Sequence, residues 1–161
     1  MSCTKSRSSH EEADTLLILH AVYAHQDSEV IHIMSPDTDV FILALRRQPE
    51  SGAGLSMIVG TTEGRRVVPL KQIYDAIGPD IANSLPGFHA FTGSDTTGKF
   101  WGKGKQSCWN ILTNSSSSVV AAFKALGSRT TPPTWIFTEL EEYVCRLYSP
   151  KSTTRDIGKL R

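Results

Sequence analysis

One run constrains the fold of this chain more than any other: Val30-Ile31-His32-Ile33-Met34, then Ser35-Pro36, then Asp37-Thr38-Asp39 and the apolar Val40-Phe41. The first five residues are rich in β-branched side chains and have strand character. Pro36 has no N–H to give a ladder, so the strand has to stop there. Two carboxylates then stand where a buried parallel strand hands over to a helix. In open α/β sheets that carboxyl edge is where ligands bind. Two roles therefore compete for Asp37 and Asp39: chemistry at the sheet edge, or capping of the helix that follows.

The rest of the chain supports an α/β reading. Residues 1–8 are expected to be a disordered lead-in. Ser9-His10-Glu11-Glu12 matches a capping box, with Ser9 as N-cap and Glu12 at the third helical position. Leu16, Leu17, Leu19, Val22 and Tyr23 follow at spacings that suit a helix packed on a sheet. Residues 40–47 are too apolar for a surface helix and predict a short buried one, ending in two cations that complement its dipole. After a loop at 48–54, residues 55–59 and 65–70 predict a hairpin around Thr61-Thr62-Glu63-Gly64. Residues 70–77 predict an amphipathic helix stopped by Gly78-Pro79. Residues 80–91 are helical in pattern, with Pro86-Gly87 an expected kink or break. A turn, Gly93-Ser94-Asp95-Thr96-Thr97-Gly98, precedes the segment Lys99-Phe100-Trp101-Gly102-Lys103-Gly104-Lys105. Ser118 is placed to cap a helix over 119–126, and 134–148 predicts a further amphipathic helix. The expected organisation is a core over 9–127, then a linker, a helix and a frayed basic tail over 128–161.

Composition narrows the classes. With 39% hydrophobic and 20% charged residues the chain has the make-up of a globular protein, and its formal charge of +1 selects no partner. No apolar run approaches a membrane span, and the polar residues 1–9 lack the core of a secretory signal. Cys3, Cys108 and Cys145 show no metal-type spacing, so neither a disulfide framework nor a zinc site is expected. The setting these features predict is intracellular, the nucleus included, with no membrane and no secretion.

Three acidic groups punctuate the core region: Glu11/Glu12/Asp14, Asp37/Asp39 and Asp95. Each alone has a structural explanation, as capping box, N-cap or turn residue. If the strands are parallel, however, all three fall on one sheet edge, where carboxylates raise one another's pKa unless cations intervene. Hard divalent ions resolve that conflict, and Mg²⁺ keeps water that can serve as a nucleophile. Asp37-Thr38-Asp39-Val40 also fits a haloacid-dehalogenase-type phosphatase, with Asp37 as nucleophile, but only one downstream acid of the required pair is supplied. A phosphate-binding P-loop fails, because Gln106 follows Gly104-Lys105 and Lys99 stands where the first glycine belongs.

Taken together, Glu12-Ala13-Asp14, Ser35-Pro36-Asp37-Thr38-Asp39, Gly93-Ser94-Asp95 and the Lys99–Lys105 segment resemble the flap-endonuclease-like 5′-nucleases of the PIN-like superfamily, over roughly residues 9–126. The resemblance implies a mainly parallel PIN-like sheet flanked by helices, with a helical C-terminal region. It implies two Mg²⁺ or Mn²⁺ ions, Glu12 and Asp14 serving one, Asp37, Asp39 and Asp95 the other, with Glu11 as a less defined neighbour. The implied reaction is attack of metal-activated water on a phosphodiester, with DNA flaps or single-strand/duplex junctions as substrates and RNA as the second candidate. Lys99, Lys103 and Lys105 would neutralise the nucleic-acid backbone. The match covers the C-terminal half of the family's domain; the strands bearing its first aspartates and its helical arch have no counterpart here. The alternative is a nucleic-acid-binding remnant that does not cleave.

Overall fold

The computed structural model describes residues 13–52, 54–61, 63–95, 97–126, 131–151 and 153–160. The lead-in and the capping box at 9–12 lie outside these residues. The chain is α/β, with seven α-helices and a three-stranded mixed sheet among the described residues. It divides into two compact units after Ala82, within helix α4 (Pro79–Phe91). No described helix is long and apolar enough to cross a membrane.

The first unit is built around residues 30–41. Helix α1 (Ala13–Ala24) leads to strand β1 (Ile31–Met34), helix α2 (Thr38–Arg46), strands β2 (Leu55–Val59) and β3 (Arg66–Pro69) and helix α3 (Leu70–Ile77). β1 and β2 are parallel, pairing Ile31 with Leu55 and Met34 with Ile58, and α2 forms the crossover such a pair requires. β2 and β3 form the expected antiparallel hairpin, with Ser56 opposite Pro69, closed by a Gly64 N–H to Thr61 C=O bond of 2.9 Å. The sheet is therefore evenly mixed rather than mainly parallel.

Register sorts the side chains into two faces. Ile33, Leu55 and Met57 are buried on one face, and α1 contacts β1 while α3 contacts β2. On the opposite face Met34 and Val67 remain more than half exposed, as does Val30 just before β1. β1 is thus an edge strand with one buried side chain, not the fully buried strand its composition predicts. A run of β-branched residues reports strand character but not how many faces are covered.

Helix α2 matches the expectation of a short buried helix, with Val40, Ile42, Ala44 and Leu45 all buried. Helix α3 ends where Gly78 was expected to end it, the Gly78 N–H reaching Tyr74 C=O at 2.9 Å. In α1 the buried residues are Ile18 and Ala21, while the expected contact residues Leu17 and Tyr23 are exposed. Nearly every position of this helix is apolar, so periodicity could not fix its inward face.

The second unit is helical. It comprises the later turns of α4, then α5 (Lys105–Thr113), α6 (Ser117–Ala125) and α7 (Thr134–Tyr148). α6 starts earlier than expected, with Ser116 rather than Ser118 as its N-cap. Pro86-Gly87 neither breaks nor ends α4, which runs on to Phe91. A Cβ on Gly87 would lie 2.2 Å from the Phe123 carbonyl oxygen, so the glycine lets α4 approach the backbone of α6. Burial of Leu85 and Phe88 on either side of the pair offsets the hydrogen bond that Pro86 cannot make. The C-terminal tail, expected to fray, lies along α7: Ile157 N–H donates to Glu141 Oε1 at 2.8 Å, and Arg155 pairs with Glu142 at 3.1 Å.

An aromatic cluster fills this unit. Phe123 is fully buried and packs edge-to-face on Tyr143 at 5.0 Å, Phe91 at 5.5 Å and Phe88 at 5.8 Å. The Tyr143 hydroxyl donates to Cys108 C=O at 2.9 Å, tying α7 to α5. Cys108 and Cys145 are buried free thiols. Burial pushes the Tyr143 phenol well above the ordinary tyrosine range, with Cys108 adding to the shift. A raised pKa means that the unfolded chain loses this proton first, so stability should fall as pH climbs past about 10. Tyr143→Phe should cost about 1 kcal/mol at neutral pH, the worth of one hydrogen bond, and should flatten that alkaline loss. Urea midpoints of both proteins across neutral and alkaline pH check both parts; parallel pH curves would refute the second.

Candidate functional site

Asp37 is the N-cap of α2. Its backbone is extended (φ −78°, ψ 131°), and its Oδ1 accepts the Asp39 N–H at 2.8 Å. Its own N–H donates to Ser35 Oγ at 3.1 Å, so the Ser-Pro-Asp-Thr-Asp segment is a fixed corner. Ser35 is buried there, Asp37 is exposed and Asp39, in the first turn of the helix, is half-buried. Both carboxylates thus stand at the carboxyl end of β1, beside the parallel pairing with β2. The helix N-terminus favours their negative charge. The capping role is observed; Oδ2 of Asp37 is not part of the cap bond.

The other expected ligands are distributed. Asp14 is half-buried in the first turn of α1, in the same unit. Glu11 and Glu12 lie outside the described residues. Asp95 belongs to the second unit and sits exposed in a turn of its own. That turn is closed by Thr97, whose Oγ1 accepts from Ser94 N–H at 2.8 Å and donates to Ala90 C=O at 2.7 Å. Among the described residues no three His, Cys, Asp or Glu side chains group so as to hold a metal ion. Asp37 and Asp39 offer hard oxygen donors of the kind Mg²⁺ takes, one or two carboxylates being commonly joined there by water and substrate phosphate. Two ions would need acids beyond those the described residues bring together.

The lysine segment is a built structure rather than a loose loop. Lys103 N–H bonds to Phe100 C=O at 3.2 Å, and Gly102 at the third turn position has φ +66°. That is the geometry of a type II turn, which needs glycine at this place. Trp101, at the second position, is exposed and not tucked against a helix. Beneath it Phe100 packs on Phe91 at 5.4 Å and on Tyr148 at 6.4 Å. The Tyr148 hydroxyl donates to Trp101 C=O at 3.2 Å, and Lys103 Nζ lies 5.3 Å over the Tyr148 ring.

The three lysines differ. Lys105 Nζ donates to His89 C=O and Thr92 Oγ1, both at 2.8 Å, and sits 5.6 Å over the Phe88 ring. Although exposed, it is bonded back onto the C-terminal end of α4, where a cation is favoured. Lys99 is exposed and Lys103 half-buried against Tyr148. Tyr148 is the residue the sequence reading missed, since nothing local ties it to a turn 47 positions away.

A cavity of about 210 Å³ lies between α1 and α2, lined by Thr15, Ile18, Leu19, Leu43, Arg46 and Arg47. Its lining contains none of the expected acids. Arg47 is held there by a two-pronged pair with Glu50 at 2.7 and 2.8 Å. Comparison with family models, with curated proteins and with solved structures finds no significant match.

Proposed function

We propose that this chain acts on nucleic acid as a divalent-metal-dependent phosphodiester hydrolase of the structure-specific 5′-nuclease type. The observation that carries the reading is the fixed corner after β1, which holds Asp37 and Asp39 at the carboxyl edge of a parallel strand pair. Mg²⁺ or Mn²⁺ bound there would supply Lewis acidity and a water of lowered pKa. Asp37 and Asp39 provide the hard oxygen donors, and the cap bond fixes the direction of the Asp37 carboxylate. Asp14, Glu12 and Asp95 are proposed as further donors on the strength of the family resemblance, and Lys99 and Lys103 as backbone contacts. A second reading, binding without cleavage, is favoured by the lysine turn, which is fully formed without any contribution from the acids.

The test is incubation of a 5′-flap DNA and a matching RNA with the chain in Mg²⁺, in Mn²⁺ and in EDTA. Cleavage in metal and none in EDTA is the expected result. Cleavage that ignores EDTA removes the proposed metal chemistry, and binding with no cleavage in any condition leaves the second reading.

A further inference from the structure

No large apolar side chain among the described residues is as exposed as Trp101, at 91%. Leaving an indole in water forgoes the free energy its burial would contribute. The backbone that carries it is nevertheless tightly held, by the turn hydrogen bond, the Phe100 packing and the Tyr148 bond. An exposed ring on a fixed turn loses little conformational freedom when something stacks on it. Charge favours one kind of occupant: from residue 96 to residue 138 there is no Asp or Glu, while Lys99, Lys103, Lys105, Lys124 and Arg129 all fall in that stretch.

We infer that the turn at 100–103 is a stacking platform for an unpaired base of a single-stranded nucleic acid, with Trp101 beneath the base and Lys99 and Lys103 beside the flanking phosphates. Aromatic side chains interleaved with cations are how sequence-tolerant single-strand sites work, because every base offers a π-face. An acidic peptide would use the lysines, but its charged side chains offer no π-face to stack on the ring. The inference rests on the proposed nucleic-acid substrate but not on the acids, since every residue it uses is in the second unit.

The experiment measures binding of the full chain to a short labelled oligothymidylate, to an abasic oligomer of equal length and to a blunt duplex, at low salt. Trp101→Ala should weaken oligothymidylate binding by about 5- to 150-fold, the range of one base–aromatic stack. Trp101→Phe should retain most of the affinity. On the abasic oligomer Trp101→Ala and the parent should bind alike. Lys103→Gln should weaken all three ligands and lower the salt slope by about one. The side chain is exposed, so unchanged urea midpoints will show that the Trp101 variants fold.

Equal affinity of Trp101→Ala and parent for oligothymidylate overturns the platform, as does an equal loss on the abasic oligomer. Parent binding to duplex but not to oligothymidylate overturns it while the nucleic-acid reading stands. Binding to none of the three overturns both and leaves the patch to a protein partner.

Discussion

Cleavage should fall by two orders of magnitude or more when Asp37 and Asp39 are both changed to asparagine, while the chain stays folded. Residues that merely orient metal ligands are worth about 10- to 100-fold, so the ligands themselves should be worth at least as much. The choice of asparagine matters because Asp37 caps α2 through Oδ1. Asparagine offers the same acceptor and is as good an N-cap as aspartate. What it removes is negative charge, which at a helix N-terminus contributes only about 0.3–1 kcal/mol per group. Asp37→Ala, by contrast, should lower stability by about 1 kcal/mol through loss of the cap. Measuring the urea midpoint and the cleavage rate on both variants separates the two roles. If the double asparagine variant cuts as fast as the parent, the acids are a cap and nothing more.

The largest expected effect on stability is at Phe123. Phe123→Ala should destabilise the second unit by about 3–5 kcal/mol, the usual cost of emptying a buried phenylalanine site. The site cannot easily collapse around the change. Three rings pack against Phe123 from α4 and α7, and the close approach of Gly87 to its carbonyl fixes the α4–α6 spacing. Domains have only about 5–15 kcal/mol in total, so a large share of this unit's stability should go. The measurement is direct because Trp101, Trp109 and Trp135 all lie in the second unit. Tryptophan fluorescence, excited selectively at wavelengths where tyrosine does not absorb, therefore reports that unit alone. A loss under about 1 kcal/mol would mean that the cluster is not the core of this unit.

Legibility in the sequence followed the range of the interactions involved. The β2–β3 hairpin, the buried α2 and the Gly78 stop of α3 depend on neighbours in the chain, and all three are readable. The capping alternative for Asp37 was equally visible, because an N-cap bond reaches only two residues. Covering of β1 was not, since a strand's composition does not say whether a layer packs on its second face. Pro86-Gly87 looked like a break because the reason for the glycine, the Phe123 carbonyl, comes from another helix. Residues 106–113 carry only weak local signals, yet they form most of α5, where burial of Cys108 and Leu112 supplies what those signals do not. Among the site residues, Lys105 could not be told from Lys103 by spacing. The partners that distinguish them are His89 and Thr92 for one and Tyr148 for the other.

The parallel pairing of β1 with β2 also bears on how the chain reaches this state. Before Ile31 can meet Leu55, the whole segment carrying α2 has to be looped back, and the entropy of that closure is lost before any ladder bond forms. The helices of the second unit are each marginal alone, yet α6 and α7 are neighbours in sequence and pack together directly. In the first unit the Asp37/Asp39 corner gains a sheet edge to stand on only once the loop between β1 and β2 has closed.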